Sequence, residues 1–325
     1  MVWQSKLSSR LYNVPYVHST FTLPASLRNL AKRNPRIIYG LLFKSAWSCI
    51  KKIGVKLQAK LGMVGVLHTW GSDLKYHPHI HCLITFGGLD KNNEWVWPAS
   101  SRRLARYKKI NKYYKESFLK NLEQEFKSGA IKYHLNYEEI CSDISRSNWV
   151  VNNDWPTENT EVIEEYLAKY INRSAISKKR LHYDSAQGTV EITYKDYYNQ
   201  VKGKAAPYLT KKLNPLLAID QIMQHKLPVG LHRVRYYGLH HNALERKVKS
   251  KIKQSLLRNK DSVQILFELL TKMLNQTSKS PKRLCPNCGY DKFDKEKIAG
   301  DSNWIYKNIV DYSSSPSPPK KKVTV

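Results

Sequence analysis

Acidic residues are scarce in this chain: 26 Asp and Glu stand against 55 Lys and Arg, and the 325 residues carry a formal charge of +29. An excess of this size on a folded protein points to a polyanionic partner, nucleic acid first and an anionic membrane surface second. The membrane reading is the weaker one, because Trp and Tyr are scattered and not gathered on one basic amphipathic helix. Long apolar runs are missing too, which excludes a bilayer-spanning helix. The first residues lack a basic-then-apolar layout, so no secretory signal is expected. Cysteine is sparse and odd in number, at five. Cys49, Cys82 and Cys141 therefore read as reduced, mostly buried thiols of a cytosolic protein. No internal repeat is present. What remains is length enough for one large domain or two modest ones, with ample material for a core.

Periodicity gives a coarse layout. Alternation over Pro15 to Thr22 predicts a strand ending at Pro24. Ser26 to Lys32 reads as a short helix. Ile38, Leu41, Leu42, Ala46 and Ile50 lie at helical spacing within Pro35 to Ala59, a helix packed on a sheet. Two strands follow, Gly62 to His68 and one carrying His79 and His81, joined by Gly71 to Pro78. Trp95 to Trp97 and Trp149 to Val151 read as short strands, Lys108 to Phe126 and Asn136 to Asp143 as helices. Thr160 to Arg173 is a helix with Glu161, Glu164 and Glu165 early and Lys169 and Arg173 late, matching the helix dipole. Arg180 to Tyr183 and Thr189 to Asp196 flank a hairpin turn at Ala186-Gln187-Gly188. Beyond about Val201 the texture becomes basic and largely helical, and from Ser278 it is turn-rich with a Ser/Pro/Lys tail.

The densest chemistry is His77-Pro78-His79-Ile80-His81. In a strand, period two puts His79 and His81 on one face, with Ile80 and Cys82 on the other. Two imidazoles side by side on a rigid strand make half of a metal site. His77 precedes a proline and is expected in the loop. His68, ending the preceding strand, is the candidate third ligand, with core packing the competing reading. Tyr166 and Tyr170, four residues apart, share a helical face beside the stripe Ile163, Leu167 and Ile171. On spacing alone such a pair reads as the edge of an amphipathic core. Lys169, Arg173, the nearby histidines and the basic charge favour chemistry. A phenol with a reference pKa near ~10 is a weak nucleophile that cations can activate.

Three segments, taken in order, carry a family resemblance: Leu67-His68-Thr69-Trp70-Gly71, Tyr76-His77-Pro78-His79-Ile80-His81-Cys82, and Tyr166 to Ser177. They resemble the rolling-circle transposases of the insertion sequence ninety-one family, two-tyrosine members of the HUH (His-hydrophobic-His) endonucleases. The likeness extends from Asn13 to Leu239, including Val14 to His18, Tyr194 to Tyr197 and Val234 to Leu239. It implies that His79 and His81 bind Mg²⁺ or Mn²⁺ and that Tyr166 and Tyr170 are nucleophiles. Imidazole suits Zn or Mn better than Mg, so a DNA phosphate is a natural oxygen-rich partner. Two departures stand out. The cysteine-rich zinc-binding region with which such proteins commonly open is expected to be absent. Lys169 and Asn172 stand where Arg and His are more usual.

The expected fold is α+β: an antiparallel central sheet carrying the His-X-His strand, flanked by helices, with a helical basic C-terminal part. The expected divisions are a catalytic domain over 1–200, a basic DNA-binding extension over 201–277, and a CxxC segment with a basic tail over 278–325. DNA contacts are expected from Lys169, Arg173, Arg180, Lys195, Arg233 and Arg235; the last two interleave with Tyr236 and Tyr237 in a pattern that grips phosphates and stacks bases. Cys285 and Cys288 supply only half of the four ligands a structural zinc needs. The expected activity is metal-assisted nicking and strand transfer of single-stranded DNA at transposon ends and targets, in the cytoplasm, with no membrane or small-molecule cofactor. Two other readings compete: a histidine-triad nucleotide hydrolase, against which Pro78, the chain length and the charge argue, and a non-catalytic DNA-binding protein with a structural zinc.

Overall fold

The structure, a computed structural model, describes residues 10–258 except 135, 146, 148, 155, 158–162, 164–174, 198, 202–203 and 242–244. Its centre is a five-stranded antiparallel sheet in the order β10-β2-β3-β1-β6. These strands are β1 (Tyr16–Thr22), β2 (Gly62–Trp70), β3 (Tyr76–Thr85), β6 (Val151–Asn153) and β10 (Val234–Gly238). The expected α+β class with a central antiparallel sheet is what the chain adopts.

Each face of the sheet has its own cover. Helix α1 (Arg28–Arg33), the long helix α2 (Pro35–Leu57) and helix α3 (Tyr107–Lys127) cover one face. Pro35 opens α2 at its first turn, where its missing N–H costs nothing. The apolar stripe foreseen in the sequence, Ile38, Leu41, Leu42, Ala46 and Ile50, is buried, and packs with Phe21, Met63, Leu67, Ile80, Cys82 and Ile84. Gly65 lets the helix in: a Cβ there would lie 2.9 Å from the Phe43 ring. Burial of large apolar side chains of this kind stabilises by about 1.5–3 kcal/mol each. The other face carries the histidines and a second apolar cluster that includes Tyr12, Tyr16, Val64, Val66, Leu83, Ile163 and Leu239. Val248 and Ile252 of helix α6 (Glu245–Arg258) close that cluster, beside the short ribbon β4 (Gly88–Leu89) and β5 (Trp95–Val96). Helix α4 (Tyr137–Ser145) precedes β6.

A second, three-stranded sheet, β7 (Leu181–Asp184), β8 (Thr189–Lys195) and β9 (Tyr208–Leu213), is backed by helix α5 (Pro215–Met223). Its first hairpin follows the sequence reading: Asp184 Oδ1 accepts from the N–H groups of Ala186 and Gln187, and Gly188 takes φ +62°. Beyond residue 201 the chain is less helical than its composition suggests. Strand β9 pairs with β8 and β10 forms the edge of the central sheet, so both sheets draw on chain from either side of that position.

Strand β10 is latched at its exit. The Tyr16 hydroxyl accepts from the Tyr12 N–H at 3.0 Å and lies 3.1 Å from His240 Nε2, while the Tyr12 hydroxyl donates to the Leu239 carbonyl at 2.6 Å. Nε2 of a neutral His240 imidazole can accept the Tyr16 hydroxyl proton, whereas a protonated one cannot. Burial lowers the His240 pKa to about 4. A folded pKa below the unfolded value means the unfolded chain takes up the proton first on acidification. The latch therefore contributes fully above about pH 6.5 and is lost as pH falls toward 4, on the order of 2 kcal/mol between pH 8 and pH 5. Denaturant unfolding at the two pH values is expected to show that loss, and to show it reduced in His240→Phe. An equal pH dependence in the variant would assign the titration elsewhere.

Candidate metal centre

The sheet register assembles the histidines. His68 on β2 sits directly opposite His79 on β3, and His81 lies opposite Val66 on one side and Thr20 on the other. His68 and His79 are 2% and 9% exposed, and His81 is partly buried. The ligand-capable nitrogens of His68, His79 and His81 all lie within 4.8 Å of one another. Nε2 of His79 and Nε2 of His81 are 3.1 Å apart. That separation is less than twice a metal–nitrogen bond of about 2.1 Å, so one ion can touch both. The structure thus brings the proposed third histidine to the pair, and among the described residues this is the group of His, Cys, Asp and Glu that meets the geometry of a metal site.

Each member of the cluster is oriented from behind. His79 Nδ1 is 2.7 Å from the His77 carbonyl, which can only accept; Nδ1 therefore carries the proton and Nε2 presents its lone pair to the cluster. The His68 ring stacks on Trp70 at 4.5 Å and meets His81 edge-on at 4.7 Å. The Arg233 guanidinium lies over the Trp70 ring, 5.1 Å from its centre, with Nε donating to the Leu67 carbonyl at 3.0 Å.

His77 departs from the loop placement expected for it. It belongs to β3, its ring turned to Arg28, whose Nη2 lies 2.8 Å from Nδ1. Burial, reinforced by the Arg28 charge, lowers its pKa to about 4. Pro78 is accommodated because the β2–β3 register shifts between His68 and Trp70, a bulge at which the missing N–H is not needed. The Pro78 carbonyl still accepts from the Leu23 N–H at 3.0 Å.

The other expected residues fall in separate places. Arg180 is engaged within the fold: Nε donates to the Thr193 carbonyl at 2.7 Å and Nη2 donates to the Ser72 carbonyl. It helps fasten the loop before β3 to the second sheet. Lys211 donates to the Asp73 carbonyl at 2.6 Å, His225 Nε2 lies 3.0 Å from the Leu74 carbonyl, and Leu74 is fully buried with φ +61°. Lys195 lies over the exposed Tyr208 ring at 5.4 Å. The Arg235 guanidinium lies 4.6 Å from the centre of the Phe43 ring, on the helix-covered face away from the histidines. Tyr166, Tyr170, Lys169, Arg173, Cys285 and Cys288 lie outside the described residues. Ile163 is described: it is helical, 1% exposed, and belongs to the apolar cluster on the histidine face.

Sequence reasoning passed over His18, Thr20 and Asp154 as site residues. His18 Nε2 lies 3.0 Å from His81 Nδ1, and His18 Nδ1 lies 2.6 Å from Asp154 Oδ2. The available signal was the alternation of β1, which sets His18, Thr20 and Thr22 against the inward Val17, Ser19 and Phe21.

An antiparallel sheet flanked by helices, with His-hydrophobic-His on an inner strand and a third histidine across from it, defines an α+β protein whose centre is compatible with the HUH motif. Residues 62–277 match the profile of a family described as "Putative transposase". The chain is 30% identical over 249 residues to "Putative transposase y4qJ" of Sinorhizobium fredii, covering 73% of this chain and 61% of that protein. It is 25% identical over 239 residues to "Transposase for insertion sequence element IS801" of Pseudomonas savastanoi, covering 73% and 57%. The chain belongs to this transposase family, of the insertion sequence ninety-one type. It spans about 60% of the length of these relatives. No solved structure gives a significant match. No helix among the described residues is long and apolar enough to cross a membrane.

Proposed function

We propose that this chain nicks and rejoins single-stranded DNA at the ends of an insertion element through a covalent 5′-phosphotyrosine. The phenolic oxygen of Tyr166 or Tyr170 attacks the phosphorus, the P–O3′ bond breaks, and the departing 3′ oxygen takes up a proton as a hydroxyl. The bond energy is kept in the phosphotyrosine, so a later attack by a 3′-hydroxyl rejoins the strand without nucleotide hydrolysis. The second tyrosine allows a second strand to be held, as rolling-circle transposition requires.

The observation that carries this reading is the cluster of His68, His79 and His81 on the sheet face that also seats Ile163. In the helix expected from sequence over Thr160 to Arg173, Ile163, Tyr166 and Tyr170 are at i, i+3 and i+7, a shared face. His68, His79 and His81 would hold a divalent cation, Mn²⁺ or Mg²⁺, whose chemistry is to polarise the scissile phosphate. The remaining basic side chains, Lys169, Arg173, Lys195 and Arg233 among them, neutralise backbone phosphates; this accounts for the excess charge and makes binding salt-dependent.

A labelled single-stranded oligonucleotide carrying the element's own end, incubated with the protein and Mn²⁺, is expected to give a covalent protein–DNA band on a denaturing gel. Chelator is expected to remove it. Cleavage without a covalent band, or no cleavage on the cognate end, would overturn the proposal. The histidine-triad alternative loses its ground with the family match.

A further inference from the structure

We propose that Asp154 and His18 form a relay behind the metal centre that fixes the tautomer of His81, so that both are positioning residues for metal capture. The inference rests on the metal reading above.

Three imidazoles and a carboxylate follow one another across two strands, β1 and β3, and the end of a third, β6. Asp154 Oδ2 is 2.6 Å from His18 Nδ1, His18 Nε2 is 3.0 Å from His81 Nδ1, and His81 Nε2 is 3.1 Å from His79 Nε2. The His18 and His81 rings are nearly parallel, 18° apart, with centres 5.2 Å from each other. A carboxylate can only accept, so Asp154 places a proton on His18 Nδ1. A neutral His18 then offers Nε2 as an acceptor, and His81 donates its Nδ1 proton to it. The His81 lone pair is left on Nε2, facing His79. The opposite arrangement, with His18 donating to His81 Nδ1, would put the His81 proton on Nε2 and close that nitrogen to an ion. Asp154 and His18 thus decide which His81 nitrogen can coordinate.

The arrangement parallels His79, whose Nδ1 is held by the His77 carbonyl. One ligand is oriented by the backbone and the other by a carboxylate–imidazole pair. Outer-shell partners of this kind typically change metal affinity 10–100-fold when removed. The relay is specified by pairing: Asp154 follows β6, and its N–H donates to the His18 carbonyl at 2.8 Å, which pins the carboxylate beside the ring. Thr20 Oγ1, 3.2 Å from the same His81 nitrogen, is an alternative acceptor and must be removed for a full test.

Mn²⁺ affinity of the full chain, read from the electron paramagnetic resonance signal of free Mn²⁺, tests the relay without reference to activity. His18→Phe/Thr20→Val keeps an aromatic ring at position 18 but offers no acceptor, and is expected to bind Mn²⁺ 10–100-fold more weakly. His18→Gln/Thr20→Val, whose amide oxygen can accept from His81 Nδ1, is expected to stay within about threefold of wild type, a rescue that a packing role alone would not give. Wild-type affinity in His18→Phe/Thr20→Val would overturn the relay while leaving the metal centre standing. Equal loss in His18→Phe/Thr20→Val and His18→Gln/Thr20→Val would reduce His18 to a packing residue and also overturn it. If the wild-type chain itself binds no Mn²⁺, the metal reading fails first and the relay falls with it.

Discussion

Replacing His79 with Ala is expected to abolish Mn²⁺-dependent nicking, by roughly a thousandfold or more, while leaving the metal-free protein about as stable as before. Loss of one preorganised electrostatic contribution at a reacting phosphate typically costs about 10²–10³ in rate, and a centre with few ligands loses the ion as well. The stability argument is less usual. With the Nδ1 proton of His79 held by a carbonyl, and that of His81 directed at His18 in the proposed relay, the two Nε2 lone pairs point toward each other at 3.1 Å. That approach gains nothing unless an ion or a shared proton lies between them, so truncating one ring relieves as much as it removes. The protein is expected to melt higher as Mn²⁺ is added, by about 2.7 kcal/mol at a hundred times Kd, and His79→Ala is expected to show no such rise. The same titration decides the role of His68. If His68 is a ligand, His68→Ala loses the Mn²⁺ response. If its stacking on Trp70 and its 2% exposure are its whole role, His68→Ala lowers metal-free stability and keeps the response.

The part of this centre that a sequence reader can see is the part made locally. Period two over Ile80 and Cys82 put His79 and His81 on one face, and both apolar residues are indeed buried among the helices. His18 and Asp154 were not visible because both act through long-range pairing: His18 reaches His81 across 63 residues of chain, and Asp154 reaches His18 across 136. Nothing in a strand's own composition announces which strand it will lie beside. Strand β9 escaped for a different reason: Tyr-Leu-Thr-Lys-Lys-Leu is exposed on most positions and lies at an edge, so it lacks the apolar alternation by which strands are recognised. Basic residues were the least legible. Arg180 and Arg235 look like DNA contacts by charge, yet one fastens the β2–β3 loop and the other lies over Phe43. Charge type gives the sign of a partner, whereas carbonyls and rings decide where a guanidinium goes.

Replacing Tyr166 and Tyr170 together with Phe is expected to remove the covalent protein–DNA band completely while leaving single-strand binding within about threefold. The phenolic hydroxyl is the only group that Tyr→Phe deletes, and neither the ring nor the helix propensity changes materially. Binding rests on many phosphate contacts, so loss of two hydroxyls is a small fraction of it. Nucleophile loss, by contrast, has no partial form, because water attack would yield cleavage without a bond to protein. The two single variants then separate two arrangements. If either tyrosine can make the first attack, each single variant keeps an adduct, and only the transfer that needs two held strands fails. If the first attack belongs to one tyrosine, its variant alone loses the adduct, and the other accumulates adduct without rejoining. Tandem mass spectrometry of the trapped nucleotide-linked peptide identifies the residue independently. An adduct that persists in the double variant would place the nucleophile elsewhere in the chain and sink the tyrosine assignment. It would leave the histidine centre to be judged on its metal response alone.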